Sequence, residues 1–181
     1  LYYIDSAGDI WVFGHGFNGS IGSGSDEWHA APYQITGLSD MVKVGIGQHH
    51  SVFLSSNGDL FGSGNNDQGQ LGGRTFIGGV PQAGGPRPVF RNPTQIEIGV
   101  LDVAAGDQHT LIVKGGGSNS DAYSAGSNWQ HQLGYGTAGT ERAFIPVKLQ
   151  HLFSVVGNNA ARNCHKVEQV VAGNNHSLFI R

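Results

Sequence analysis

Nine histidines, one cysteine and three arginines set in an acid-free stretch are the residues of this 181-residue chain that invite a chemical reading. Histidine offers metal binding, general-base catalysis or proton relay. His49 beside His50, and Cys164-His165 with His151, are ligand types for a transition metal. No third and fourth ligand stands at a recognised spacing, so no metal is expected. His50, His109 and His176 are each followed by a hydroxyl residue, Ser51, Thr110 and Ser177, which resembles a base beside a nucleophile. Adjacent residues of a strand point to opposite faces, so such a pair does not share one proton, and no acid recurs to orient the imidazole. A catalytic group is also needed once, not three times. The expectation is a non-enzyme in which each imidazole hydrogen-bonds a backbone group of a neighbouring turn, since buried polar groups need partners. None of the glycine clusters is followed by Lys-Ser/Thr or opens a helix, which excludes a phosphate loop. No cofactor is expected.

The histidines recur because the chain repeats. Gly47-Gln48-His49-His50-Ser51 returns as Gly106-Asp107-Gln108-His109-Thr110 and as Gly173-Asn174-Asn175-His176-Ser177, each followed by three apolar residues. A second element begins at Gly14, Gly64 and Gly126 and ends, at one fixed spacing, in Ile21-Gly22, Leu71-Gly72 and Leu133-Gly134. Ser6-Ala7-Gly8-Asp9 and Ser56-Asn57-Gly58-Asp59 read as tight hairpin turns. Pro32, Pro93 and Pro146 each precede a short apolar stretch, and a V-x-x-V-like strand leads into the next G-x-x-H. Each unit is about four short strands with almost no helical periodicity.

Thirty glycines are more than double the roughly 7% of an average protein, and turns between short strands account for them. With 38% hydrophobic and 13% charged residues the chain can bury a core. A net charge of −3 provides no field for nucleic acid, which is not expected as a partner. No apolar run is long enough to span a bilayer as a helix, so no membrane insertion is expected. The single Cys164 excludes a disulfide framework within the chain and fits a reducing, intracellular compartment.

Four antiparallel strands per unit at this period are the sequence form of a β-propeller blade. The G-x-x-H-S, N-G-D-[L/I]-[F/W], G-x-N-x-x-G-Q-L-G and P-x-x-[I/V] elements resemble the regulator of chromosome condensation repeat family, over essentially the whole chain. His131 replaces the family glycine matched by Gly19 and Gly69, and Lys114 to Asp121 replaces the short turn. The resemblance implies an all-β fold with blades approximately at 1–50, 51–109 and 110–176 and a stub at 177–181, a segment of a seven-bladed ring whose remaining blades are expected elsewhere. It makes structural residues of Gly47, Gly106, Gly173, Gly64, Gly126, Gly72, Gly134, His50, His109 and His176. It also implies roles as a protein-protein interaction scaffold, alone or within a large multi-subunit assembly, with guanine-nucleotide exchange on a small GTPase as the alternative. The family's light-sensing branch places tryptophan inside G-x-x-H, where this chain has Gln48-His49, Asp107-Gln108 and Asn174-Asn175.

Binding is expected in what is not repeated. Gly73 to Asn92 carries Arg74, Arg87 and Arg91 with Phe76 and Phe90, a candidate contact for an acidic partner surface. Lys114 to Asp121 and Gln150 to Lys166, the latter with Phe153, are the other departures. Trp28 and Trp129 lie beside the L-G elements; Trp129 is read as a packing residue, because its counterparts Phe17 and Asp67 share no property that would mark a ligand site.

Overall fold

The computed structural model describes residues 1–72, 75–77, 80–82, 89–116, 119–134, 138–146 and 167–180. They form fifteen strands in chain order: β1 (Tyr2–Ile4), β2 (Ile10–His15), β3 (Trp28–Gln34), β4 (Met41–Ile46), β5 (His50–Ser55), β6 (Leu60–Asn65), β7 (Thr75–Ile77), β8 (Val80–Gln82), β9 (Val89–Glu97), β10 (Val100–Ala105), β11 (His109–Gly116), β12 (Asn119–Ser127), β13 (Thr140–Pro146), β14 (Gln169–Ala172) and β15 (Ser177–Ile180). Two complete antiparallel sheets run in the orders β4-β5-β6-β9 and β10-β11-β12-β13. Sheet β1-β2-β3 precedes them, pair β14-β15 follows, and β7-β8 forms a separate hairpin. The successive first strands β4, β10 and β14 lie side by side, so the sheets stack as consecutive blades of a propeller.

The apolar run in each middle strand is explained by this stacking. A strand covered on both faces has no solvent side, so it reads as continuous rather than alternating. All six residues of β5 are buried. Val52 and Leu54 enter one core cluster with Val100, Val103 and Ile112 of the next sheet. Phe53 points the other way, into a cluster with Ile10, Val12, Ile35 and Met41. In β11, Ile112 faces back towards β5 while Leu111 and Val113 face forward to Val167 and Val170. Each middle strand thus joins the blade before it to the blade after it.

Turns follow the hairpin expectation. Gly8 and Gly58 donate their N–H to Asp5 and Ser55 carbonyls at 3.0 Å, and both have φ near +80°. β11 and β12 stay paired past the length of the other blades, with Lys114 opposite Asp121 and Gly116 opposite Asn119.

Charged ties run between sheets. Asp102 on β10 sits 2.5 Å from Lys43 on β4 and accepts the Val170 N–H of β14 at 2.9 Å, so one carboxylate bridges three neighbouring first strands. Lys114 and Glu97 pair at 3.0 Å.

Candidate functional site

The G-x-x-H loop joins the first strand of a blade to the second, and it abuts the turn that leaves the third. Asn65 donates its N–H to the His49 carbonyl at 2.7 Å, and Ser127 donates to Gln108 at 2.8 Å. Both kinds of loop therefore share one face of the arc. Along it, Gln48 donates a backbone N–H to the Asp107 carbonyl at 3.2 Å and Asp107 to that of Asn174 at 3.0 Å, stitching blade to blade.

Beneath these loops the repeat histidines form a seam. The Nε2 of His50 lies 2.9 Å from Thr110 Oγ1 of the next blade, and that of His109 lies 3.1 Å from Ser177 Oγ of the one after. The partner is a side-chain hydroxyl, which corrects the expectation of a backbone group. Its cause is the strand geometry that excludes a catalytic pair: the hydroxyl faces away from its own histidine and therefore towards the previous blade's. Neither Nδ1 has a partner among the described residues, which favours the tautomer donating from Nε2. Burial, reinforced by the charge of His109 and His49, lowers the His50 pKa to about 3. Burial and then the charge of His176 lower that of His109 to about 4. Both imidazoles are neutral at physiological pH.

The seam requires its glycines. A Cβ on Gly47, Gly106 or Gly173 would fall on the ring of His50, His109 or His176. At Gly47 it would also approach the Gly106 carbonyl to 2.6 Å. Gly64 and Gly126, with φ of +100° and +115°, lie directly against the backbone of His50 and His109.

Tyr2 continues the seam at its first blade with a different residue. Its hydroxyl lies 2.7 Å from Ser51 Oγ and donates to the Ser20 carbonyl at 2.9 Å. Burial pushes the phenol pKa up, and the bond with Ser51 pulls it back in part.

The turns after β2, β6 and β12 close with the same backbone bond, the N–H of Gly19, Gly69 and His131 donating to the carbonyls of Gly16, Asn66 and Asn128, and are finished differently, the first having glycine where the other two have asparagine. Asn66 Oδ1 accepts the Leu71 N–H, and Asn128 Oδ1 accepts that of Leu133, each at 2.8 Å. His131 adopts φ of +60°, close to Gly19 and Gly69, so it fills a glycine position by taking up the glycine conformation. At one equivalent place these turns present Phe17, Asp67 and Trp129, and all three are exposed. Trp129 leaves 64% of its surface to solvent and Phe17 leaves 49%, so the packing reading of Trp129 is overturned.

Between the second and third blades the same face opens a cleft of about 140 Å³, lined by His49, Asn65, Asp67, Gln68, Asp107 and Gln108 among others. Asn65 Nδ2 donates to Asp67 Oδ2 at 2.8 Å. The Phe17 and His49 rings meet edge to face at 5.7 Å between centroids. Polar side chains line most of it, and among the described residues no group of three or more His, Cys, Asp or Glu is arranged to hold a metal.

The arginine-loop candidates divide. Arg74, Arg87, Phe153 and the side chain of Phe76 lie outside the described residues. Phe90 is 6% exposed and belongs to the core around Val52 and Leu71, opposite Gly64 in the sheet; it is a packing residue, which corrects its assignment to a contact surface. Arg91 is exposed but opposed: its Nη2 donates to Asp26 Oδ2 at 2.8 Å. Hydrogen bonding to that guanidinium holds the Asp26 carboxyl below the usual carboxylate range.

Models of the regulator of chromosome condensation (RCC1) repeat match residues 7–54, 57–113 and 119–180, and a second such model matches 41–70. The chain belongs to this family. Similar proteins include mouse E3 ubiquitin-protein ligase HERC2, 27% identical over 98% of this chain and 3% of its own length. Human protein RCC2 is 30% identical over 75% of this chain and 24% of its own length, and the Arabidopsis ultraviolet-B receptor UVR8 is 29% identical over 96% and 36%. The chain thus spans about a third or less of these relatives. Among solved structures, Prp20p of Saccharomyces cerevisiae superposes with a TM-score of 0.74 at 22% identity, over 98% of this chain and 40% of that one, a likeness of fold.

Proposed function

We propose that this RCC1-repeat segment is a non-enzymatic protein-docking module whose contact face carries the G-x-x-H loops and the turns after β2, β6 and β12. One observation carries the reading: three turns closed by the same backbone bond expose Phe17, Asp67 and Trp129 at one equivalent place, with Asp67 lining a polar cleft. Residues that hold a repeat together are alike from blade to blade and buried, whereas a contact surface needs different groups at equivalent places. Exposed aromatic side chains of this size are the usual anchors of protein interfaces.

Prp20p has been studied for its binding to Gsp1p and histones, and a structure of Kap60 bound to yeast RCC1 is known. Those contacts belong to those proteins, but they support docking as a use of the fold. Guanine-nucleotide exchange is a special case of docking, because it requires a ligand that favours one state of a GTPase and no nucleophile.

The test is affinity capture with the intact protein and with a Phe17→Ala, Asp67→Ala, Trp129→Ala variant, read by quantitative mass spectrometry. Defined partners should be retained by the wild type and lost by the variant at unchanged melting temperature. Equal retention by both, or no retention by the wild type, overturns the reading. A fluorescent-nucleotide release assay on any captured GTPase then decides the exchange case.

A further inference from the structure

Trp28 opens β3 with 74% of its surface exposed and stacks on His15 at 4.1 Å between centroids, the ring planes 12° apart. His15 lies 5.8 Å from Phe17, and Phe17 lies 5.7 Å from His49, which lines the cleft containing Asp67 and Asp107. Four rings, three exposed and the last, His49, half-buried, therefore form a continuous path from the outer strand of the first blade to the seam between the second and third. Each step matches one or two residues of extended chain, at about 3.3 Å per residue.

Among the described residues, the side-chain charges beside this path that no ion pair neutralises are acidic. Lys43, Arg91 and Lys114 are the lysines and arginines whose side chains are described, and each is paired, with Asp102, Asp26 and Glu97. Glu27 stands exposed next to Trp28, and Asp67 and Asp107 border the cleft at the other end. A surface of aromatic faces flanked by carboxylates repels phosphate and attracts cations, and the face of an indole holds a guanidinium by cation-π stacking.

We infer that the Trp28-His15-Phe17-His49 path is a docking groove for an extended, arginine-containing segment of a partner protein, one guanidinium stacking on the rings and another entering the cleft beside Asp107. This rests on the docking reading and names its partner chemistry. Arginine is favoured over lysine because its planar, weakly hydrated fork stacks on rings and pairs with a carboxylate in two places.

The probes are fluorescein-labelled peptides of about ten residues, a length that spans the ring path with margin, alternating Arg, Lys or Glu with Ala. They are titrated into the intact protein by fluorescence anisotropy. The Arg peptide should bind more tightly than the Lys peptide, and the Glu peptide should not bind. Trp28→Ala with Phe17→Ala should weaken the Arg peptide about tenfold. Asp107→Asn should weaken it several-fold and flatten its salt dependence. Circular dichroism and melting of each variant exclude misfolding, since the two aromatic side chains are exposed. Equal affinity for Arg and Glu peptides, or an aromatic variant that binds like wild type, overturns the inference. A captured partner lost by Trp129→Ala but retained by Trp28→Ala also overturns it and leaves the docking reading standing. Absence of any partner in the capture experiment would strike the docking reading instead.

Discussion

His50 and His109 are wholly buried and bonded across to the next blade, whereas Phe17 and Trp129, on the turns after β2 and β12, stand largely in solvent. Both pairs occupy fixed places in one repeat. At the seam, each place holds the same residue type, because its shape is set by neighbouring copies of the backbone: the imidazole rests on a glycine and reaches a hydroxyl. At the turns the shape is set within each loop, by backbone bonds to the Gly16, Asn66 and Asn128 carbonyls and, in two of the three, by the asparagine side chain, so the outward side chain is not needed to close the loop. Identity across the repeats therefore marks what the arc needs in order to stand, and divergence on a common scaffold marks what it can offer to a partner.

The largest effect that would break this contrast lies at the seam. Gly106→Ala places a methyl group on the His109 ring and 2.5 Å from the Gly173 carbonyl, with no flexible side-chain end to move aside. Overpacking at a backbone contact should cost more than about 3 kcal/mol, measured by chemical denaturation of the intact protein. A loss under about 1 kcal/mol would mean that the blades shift to accommodate the methyl and that the seam is not a rigid constraint.

Next in size is pH. The folded pKa values of His50 and His109, about 3 and about 4, lie below the value near 6.5 of an unfolded histidine. Between those limits the unfolded chain binds protons that the folded chain refuses, so stability falls as pH drops below 6.5 and is unaffected by these groups above it. Each fully titrating histidine adds a slope of about 1.4 kcal/mol per pH unit. Thermal melts from pH 7 to 4.5 should show this decline. A His50→Gln variant, less stable at neutral pH, should show a shallower one, and parallel slopes in the two proteins would assign the acid sensitivity elsewhere.

Asp102 sharpens the comparison from a third position. Asp102→Ala leaves the buried Val170 N–H without its acceptor, which costs about 2 kcal/mol. Lys43→Met removes only the half-exposed partner and should cost under about 1 kcal/mol, diminishing in high salt. Equal and equally salt-sensitive losses in the two variants would place the tie in the ion pair instead of the backbone bond.

How much of this was legible in the sequence follows the same division. The seam could be read from Gly47, Gly106 and Gly173 with their histidines, because a constraint imposed by repeated neighbours leaves a repeated residue. The hydroxyl partner was legible too: the opposite-face argument that removes Ser51 as a proton partner of His50 also turns Thr110 towards His50 from the next blade. The exposure of Trp129 leaves no such repeated mark, because Phe17, Asp67 and Trp129 share no property and exposure requires none. The composition of its stretch does not show that Phe90 points inward; that position is fixed by pairing with Gly64, a contact made across the chain. The Arg91–Asp26 pair, 65 residues apart in sequence, follows no local rule.

The smallest expected effect on stability is the one that tests the other half of the contrast. Phe17→Ala and Trp129→Ala remove rings that stand largely in solvent, so each should change unfolding stability by no more than about 0.5 kcal/mol, a fraction of the loss at Gly106. Phe17 meets His49 edge to face and Trp129 has no ring partner among the described residues, so Phe17→Ala should have the larger effect of the two. Near-neutral stability combined with loss of a bound partner is the outcome expected of a surface used for docking. If Trp129→Ala instead destabilised the fold by 2 kcal/mol or more, the loss range of buried large-to-small substitutions, the ring would be a packing residue after all. The turns after β2, β6 and β12 would then belong with the seam, and the rule that divergence between blades marks contact surface would fail in this protein.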